Sequence, residues 1–436
     1  MIWWVRLFYA TGWLVILPIV LMGSLFRAKH RSGLMQRLGV WPSELLRQIE
    51  ALSFNPVWIH AVSVGEANAV APLVKKLSNA GVGVFLTCST QTGVEIAQGI
   101  SSRHSGVVSA YCPLDAPWLV AGLLKRVCPR ALLIAETELW PSLILETSVR
   151  QIPVILINGR LSERSFRGYS PFRWVFSSIL NRFYRVMVQT SEDAQRMMAL
   201  GANPDRVVVM GNLKLDVEPA ARASLYRAWQ QWLSAKEGPV ITLASTHPGE
   251  ERLLLDAVLP LFGQYPNLKV VLAPRHPERA NDVAGLLEAR SMSYLKRSSL
   301  SVTAPEAVPS SLILLDGVGE LTTVYRLSTL AVMGGSWLDL KHGRGGQSPI
   351  EPIAAGCAVV FGADMRNFKA IVADIRLHQA GLQVTSSDAL SDILRQLLEQ
   401  PDLRVAMVER GQNWIQQNQG ACDRVIKVLS DYGIGQ

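Results

Sequence analysis

The chain has 436 residues, 49% of them apolar, with 43 Lys and Arg against 35 Asp and Glu and a formal net charge of +8. That length and apolar content suffice for two ordinary domains with full cores and exclude an intrinsically disordered chain. The five cysteines (Cys88, Cys112, Cys128, Cys357 and Cys422) include no Cys-x-x-Cys pair, which argues against a disulfide framework or zinc knuckle and fits a reducing compartment.

The chain begins with an apolar run. Leu7 to Phe26 is twenty residues without a charge, about the length that crosses a hydrocarbon core of roughly 30 Å. Arg27, Lys29, Arg31 and Arg37 follow it against Arg6 before it, so residues 1–31 read as an N-terminal membrane-anchor helix with the remaining chain on the cytoplasmic side. No small-x-small site follows, which disfavours a cleaved signal peptide. Pro18 leaves open a bent helix lying in the interface.

Short β-rich runs then alternate with helical stretches. Val57 to Val62, Val82 to Cys88, Ala131 to Ala135, Val154 to Asn158, Arg185 to Gln189 and Val207 to Met210 form one series. Val240 to Ala244, Leu268 to Ala273, Leu312 to Asp316, Leu330 to Gly334 and Ala358 to Gly362 form a second. The alternation predicts an α/β protein of two Rossmann-like domains facing a cleft, residues 32–217 and 239–412, with a connector at 218–238 and a closing helix at 413–436 expected to return to the first domain. Ligands of such sheets bind beyond the carboxyl ends of the strands.

Polar groups gather at those strand ends. Trp58 to Glu66 runs from an apolar strand into Ser-Val-Gly-Glu, so Glu66 reads either as a carboxylate aimed at a ligand or as a helix-capping group beside the stretch Ala67 to Leu77. Glu136 and Glu138 follow another strand, and their spacing predicts opposite sides, with at most one facing the cleft. Lys214 follows a third, where an ammonium suits a phosphate or carboxylate. In the second domain Pro274, Arg275 and His276 follow a strand, Asp316 to Leu321 is a Gly-rich turn through Val318, Gly319 and Glu320, and Ser348, Pro349, Ile350 and Glu351 make a helix start whose amides suit an anion. Between Arg160 and Arg185, six arginines and one acid are interleaved with seven aromatics, a composition suited to lipid headgroups and phosphates. No nucleic-acid fold signature accompanies it, so no nucleic-acid partner is expected.

Together these segments resemble the Kdo transferases, which move 3-deoxy-D-manno-octulosonic acid (Kdo) from CMP-Kdo onto a lipid A precursor. The resemblance covers nearly the whole chain. It rests on the apolar start, His60 to Glu66, Glu136 to Pro141, Asn158 to Ser162, Leu213 to Asp216, Ser245 to Glu250, Pro274 to Arg279, Gly319 to Leu321 and Gly334 to Ser336. It implies a GT-B fold and an inverting, metal-independent transfer without a cofactor, which the absence of Asp-x-Asp fits. It implies Glu66 as general base, Glu136 and Lys214 as transition-state stabilisers, and CMP contacts at Pro274, Arg275, Val318 to Glu320 and Ser348 to Glu351. It further implies inner-membrane lipids as partners and a dock for lipid A phosphates on the segment 160–185. Two stretches depart from the family pattern: Gln347-Ser-Pro-Ile-Glu stands where His-Asn-Pro-Leu-Glu is common, after a lengthened loop Leu338 to Arg344, and Gly362-Ala-Asp-Met-Arg-Asn-Phe replaces Gly-Pro-His-x-x-Asn-Phe. A paralogue with another CMP-activated ulosonic acid or another acceptor, and a non-catalytic membrane scaffold of the same fold, are the alternatives.

Overall fold

In the computed structural model, which describes residues 9–18, 33–52, 55–216, 223–234, 237–303, 305–338 and 344–434, the strands gather into two seven-stranded sheets. Each sheet belongs to one compact unit, the first formed by Met1–Asp216 with Asn418–Gln436 and the second by Val217–Gln417.

The first sheet contains β1 (Val57–His60), β2 (Val84–Cys88), β3 (Val107–Tyr111), β4 (Ala131–Ala135), β5 (Val154–Gly159), β6 (Arg185–Val188) and β7 (Val207–Val209), ordered β3-β2-β1-β4-β5-β6-β7 and parallel throughout. Its central strands β1, β2, β4 and β5 are buried at every position because helices cover both faces. Trp58, Phe85, Leu132 and Leu156 enter one core, while Val57, Ile59, Leu86, Leu133 and Ile155 enter the other, the alternation a pleated strand imposes. The edge strand β3, broken by the half-buried Ser109, escapes the apolar-run criterion.

The second core of this unit is completed from the far end of the chain. Helix Ala421–Asp431 contributes Ala421, Cys422, Val425 and Leu429. Asp216 fastens it: its carboxylate accepts from the amides of Gly420 at 2.7 Å, Ala421 at 3.3 Å and Cys422 at 2.5 Å, satisfying the open amino end of the helix.

The second sheet contains β8 (Val240–Thr246), β9 (Lys269–Pro274), β10 (Leu295–Lys296), β11 (Leu312–Leu314), β12 (Leu330–Met333), β13 (Ala358–Phe361) and β14 (Leu382–Gln383), in the order β10-β11-β9-β8-β12-β13-β14 and again parallel. The edge strands β10 and β14 have two residues each, too short to leave a hydropathy signal. The stretch 218–238, read from sequence as a connector, holds helix Ala223–Trp232, and Trp229 and Trp232 sink into the second unit's core beside Val271 and Ile313. Two buried indoles make this segment part of the unit rather than a spacer.

Of the apolar run at the amino end, residues 9–18 are described and helical, with Leu14, Val15 and Ile16 exposed; the rest of Leu7 to Phe26 lies outside the described residues. Among the described residues no helix is long and apolar enough to cross a membrane.

Replacing Asp216 by Ala removes the cap and leaves amides without partners, so Asp216→Ala should lower unfolding stability by about 2 kcal/mol, measurable by urea denaturation.

Candidate active site

Each sheet has a central strand-order reversal, between β1 and β4 in the first and between β8 and β12 in the second. At such a point the loops leaving neighbouring strands diverge and open a crevice. The polar motifs cluster there. Glu66 follows β1 and Glu136 follows β4, whereas Ser245 to Glu250 runs out of the end of β8 and Gly334 to Ser336 follows β12.

Glu66 is the third residue of helix Val64–Asn79, not a residue preceding it, and it is buried. Its carboxylate accepts from the Val62 amide at 2.7 Å and the Ser63 hydroxyl at 2.8 Å, a reach back over the helix start like that of a capping box. The capping reading is therefore structurally real. It does not exhaust the residue. Burial, reinforced by the charges of Glu136 and Glu138, pushes the Glu66 pKa up to about 7 despite the two hydrogen bonds that hold it down. A group that only caps gains from staying ionised; one poised near neutrality suits proton transfer.

Glu136 does not obey the strand alternation expected of it. β4 ends at Ala135 and Glu136 adopts a left-handed φ of 56°, so strand alternation does not extend to it; the charges of Glu136 and Glu138 both raise Glu66. Lys214 Nζ lies 3.3 Å from Glu136 Oε1, half-exposed on both sides. The turn bearing Lys214 is built by Asn158, at φ 55° in a bulge where the β5–β6 register shifts, whose Oδ1 accepts from the Leu213 amide at 3.0 Å. The first unit thus brings Glu66, Glu136 and Lys214 to the ends of the sheet. Beside them His60 is wholly buried, pushed down to about 4 by desolvation and hence neutral, with the Trp140 ring edge-on at 6.0 Å.

In the second unit β8 bulges at Ser245, φ 54°, and Glu250 opens helix Glu250–Gln264. Glu250 is buried and accepts from three amides: His247 at 3.0 Å, Gly335 at 2.6 Å and Trp337 at 3.0 Å. Here Gly334 is obligatory, because a Cβ would meet Ser245 O at 2.4 Å. Pro274 ends β9, and Arg275 and His276 stand exposed beyond it. Arg275 acts with His276, Arg344 and Arg279 to help desolvation press His247 down to about 4, leaving a neutral imidazole whose Nε2 meets the Gln347 amide at 2.9 Å. Arg275 is also the cation that draws Glu351 down against the desolvation raising it. The Glu320 carboxylate is engaged through Oε2 by Trp229 Nε1 and Arg297 Nε, each at 2.7 Å. Pro349 caps the short helix Ile350–Ala354 rather than starting it, with Ser348 half-buried just before.

The two stretches that depart from the family pattern touch each other. Asp364 accepts from the Gly345 amide at 3.0 Å, and Asn367 donates to Arg344 O at 2.8 Å. They form one local assembly, which sequence reading treats as two changes. Sequence reading also leaves Glu250 without a role; its signal is the repeat of the Gly-Glu ending of Ser63-Val-Gly-Glu66 in His247-Pro-Gly-Glu250.

The segment 160–185 is less uniform than its composition. Phe183 is fully buried, Tyr169 stacks on Phe176 at 4.4 Å, and only Phe172 and Trp174 of its aromatics are exposed, with Arg164, Arg167 and Arg173.

Two doubly wound parallel sheets with polar groups at their reversal points define an α/β glycosyltransferase fold of GT-B type. A solved UDP-GlcNAc 2-epimerase from Neisseria meningitidis has a similar fold, with a TM-score of 0.55 at 14% identity over 86% of this chain and all of that one. Residues 32–217 match the family model of 3-deoxy-D-manno-octulosonic-acid transferase (kdotransferase). The chain is 31% identical to the 3-deoxy-D-manno-octulosonic acid transferase of Haemophilus influenzae over 98% of both chains. It is 34% identical to that of Bordetella pertussis over 86% of this chain and 87% of the other. The chain belongs to the Kdo transferase family.

The raised Glu66 pKa carries a stability consequence of definite sign. A carboxyl whose folded pKa lies above its unfolded value loses stability as pH rises from about 4.5 through about 7. Glu66→Gln should therefore be more stable than wild type at pH 8, by on the order of 2–3 kcal/mol, and little different at pH 4.5. Turnover should fall by roughly 100-fold to 10,000-fold. Wild-type kcat should rise with pH through an ionisation near 7 that Glu66→Gln lacks.

Proposed function

We propose that this chain transfers Kdo from CMP-Kdo to the lipid A precursor in lipopolysaccharide synthesis, with inversion and without a metal, at the cytoplasmic face of the inner membrane. The observation that carries the reading is the Glu66 carboxylate, held by two hydrogen bonds at the strand-order reversal and balanced near neutrality. In this scheme Glu66 takes the proton of the acceptor hydroxyl as its oxygen bonds to the anomeric carbon, and the bond from that carbon to the CMP phosphate breaks with its electron pair leaving on CMP. Lys214, steadied against Glu136, meets anionic charge on the transferred sugar. Arg275 meets the departing phosphate, the backbone of Val318 to Glu320 and the turn Ser348 to Glu351 hold the rest of CMP, and Pro274 fixes the direction in which Arg275 leaves its strand.

Membrane contact is supported by the exposed Leu14, Val15 and Ile16 and by the patch of Phe172, Trp174, Arg164, Arg167 and Arg173, which pairs rings for the acyl boundary with guanidinium groups for phosphate. The scaffold alternative is disfavoured by the retention of Glu66, Glu136, Lys214, Arg275 and Glu351 together.

Incubating purified protein with CMP-Kdo and a tetra-acylated lipid A precursor should yield a product heavier by Kdo on mass spectrometry; no Kdo adduct would overturn the assignment. Arg275→Ala should weaken CMP binding, measured by calorimetry, by about tenfold or more, since a charge-assisted hydrogen bond contributes roughly 1.5–3 kcal/mol. Reversing charge at Arg164 and Arg167 should weaken binding to bisphosphorylated lipid more than to its dephosphorylated form.

A further inference from the structure

Asp115 is a buried carboxylate that the transfer scheme does not use. It precedes Ala-Pro117, where it looks like a cap for helix Pro117–Val127, yet that helix has Ala116 at its cap position and no side-chain cap. The Asp115 carboxylate turns instead to a different helix, Pro141–Val149, and accepts from the amides of Ser142 at 3.0 Å and Leu143 at 2.8 Å. A second donor reaches its Oδ2 from far away in sequence: the hydroxyl of Tyr9, at 2.8 Å, in the helix of residues 9–18.

Helix Pro141–Val149 is the direct continuation of the Glu136 to Trp140 turn. Trp140 is its cap residue, bonds through Nε1 to Glu138 Oε2 at 2.9 Å, and sets its ring against His60. A rigid path therefore runs from Tyr9 through Asp115 and the amides of Ser142 and Leu143 to the carboxylates that act on Glu66. The turn itself is strained, since Glu136 sits at a left-handed φ of 56°, and such a conformation persists only while its surroundings hold it. Buried Asp115 needs its donors as well: desolvation pushes its pKa up to about 7, and the three hydrogen bonds are what oppose that rise.

We propose that Tyr9 and Asp115 are positioning residues, a clasp by which the amino-terminal helix holds the Glu136 to Trp140 turn in its working geometry. The segment is then part of the catalytic unit as well as a contact with lipid. The two roles separate experimentally: a pure anchor leaves turnover on detergent-dispersed acceptor untouched when Tyr9 is altered, and a clasp does not.

The test uses the full-length chain in detergent with Tyr9→Phe, which keeps the ring and removes only the hydroxyl, and Asp115→Asn beside it. Hydrogen exchange over residues 136–147 should quicken about fivefold in Tyr9→Phe, the factor that corresponds to one hydrogen bond of roughly 1 kcal/mol, while exchange in β2 and β5 stays as in wild type. With CMP-Kdo and dispersed acceptor, an arm that rests on the proposed transfer, kcat should fall several-fold in both variants with KM for CMP-Kdo unchanged. Unchanged exchange over 136–147 in Tyr9→Phe would overturn the clasp, and so would an increase shared equally by β2 and β5. If the wild-type protein makes no Kdo adduct, the transfer reading fails, but the exchange measurement still decides the clasp.

Discussion

Two buried carboxylates, one at the start of the helix that follows the first strand of each unit, organise what surrounds them, and the difference between them separates framework from chemistry. Glu250 accepts from three backbone amides and ties the end of β8 to the Gly334 to Trp337 turn after β12. Every donor is main chain, so the group acts as a bolt across the strand-order reversal. Glu66 stands at the corresponding place in the first unit with one amide and one hydroxyl, and with two further carboxylates acting on it where Glu250, itself raised by burial, has only Glu251. Removing donors and adding like charge is how a fold turns a cap into a base, because each change raises the free energy of the ionised form.

That cost is accompanied by backbone strain. Glu136, Asn158 and Ser245 all hold positive φ without being glycine, and all lie where a strand of the site ends. Conformations of this kind each disfavour the fold by on the order of 1–3 kcal/mol. They persist because the strands feeding them are buried on both faces and leave the ends little freedom: β1, β4 and β5 are buried along their whole length. The rigid sheet thus over-determines the loops, and the loops place side chains where a relaxed turn would not.

The same division governs what could be read from sequence. Long apolar runs such as Ala131–Ala135 matched their strands because burial on two faces leaves a continuous signal. β10 and β14, at two residues each, and the polar-interrupted β3 leave none. Trp229 and Trp232 sit in a stretch polar enough to resemble a connector, and only the tertiary pocket reveals that they anchor it. Site residues were legible as polar groups at strand ends, so Glu66, Lys214 and Arg275 stood out. Their geometry was not. The period-2 rule that sent Glu136 and Glu138 to opposite sides fails once φ turns positive after Ala135, a change that no side-chain pattern announces. Asp115 was invisible for a related reason: its partners are amides 27 and 28 residues away and a hydroxyl 106 away, none of them marked by composition.

Long-range ties of this sort also explain why the first unit needs both ends of the chain. The Lys214 turn is held from one side by Asn158 and from the other by Asp216, whose three acceptor bonds go to Gly420, Ala421 and Cys422. Lys76 reaches Asp423 at 2.6 Å, and the Arg424 guanidinium donates to Met210 O at 3.0 Å, the residue that leads from β7 into the Lys214 turn. The exposed Lys76 pair adds little stability by itself. The apolar burial of Val425 and Leu429 supplies the affinity, and the polar bonds set register. A helix that begins at residue 421 therefore fixes an ammonium at residue 214. Sequence neighbours alone give that turn Asn212 and its own short 3₁₀ hydrogen bond, too few constraints to aim a flexible lysine at Glu136.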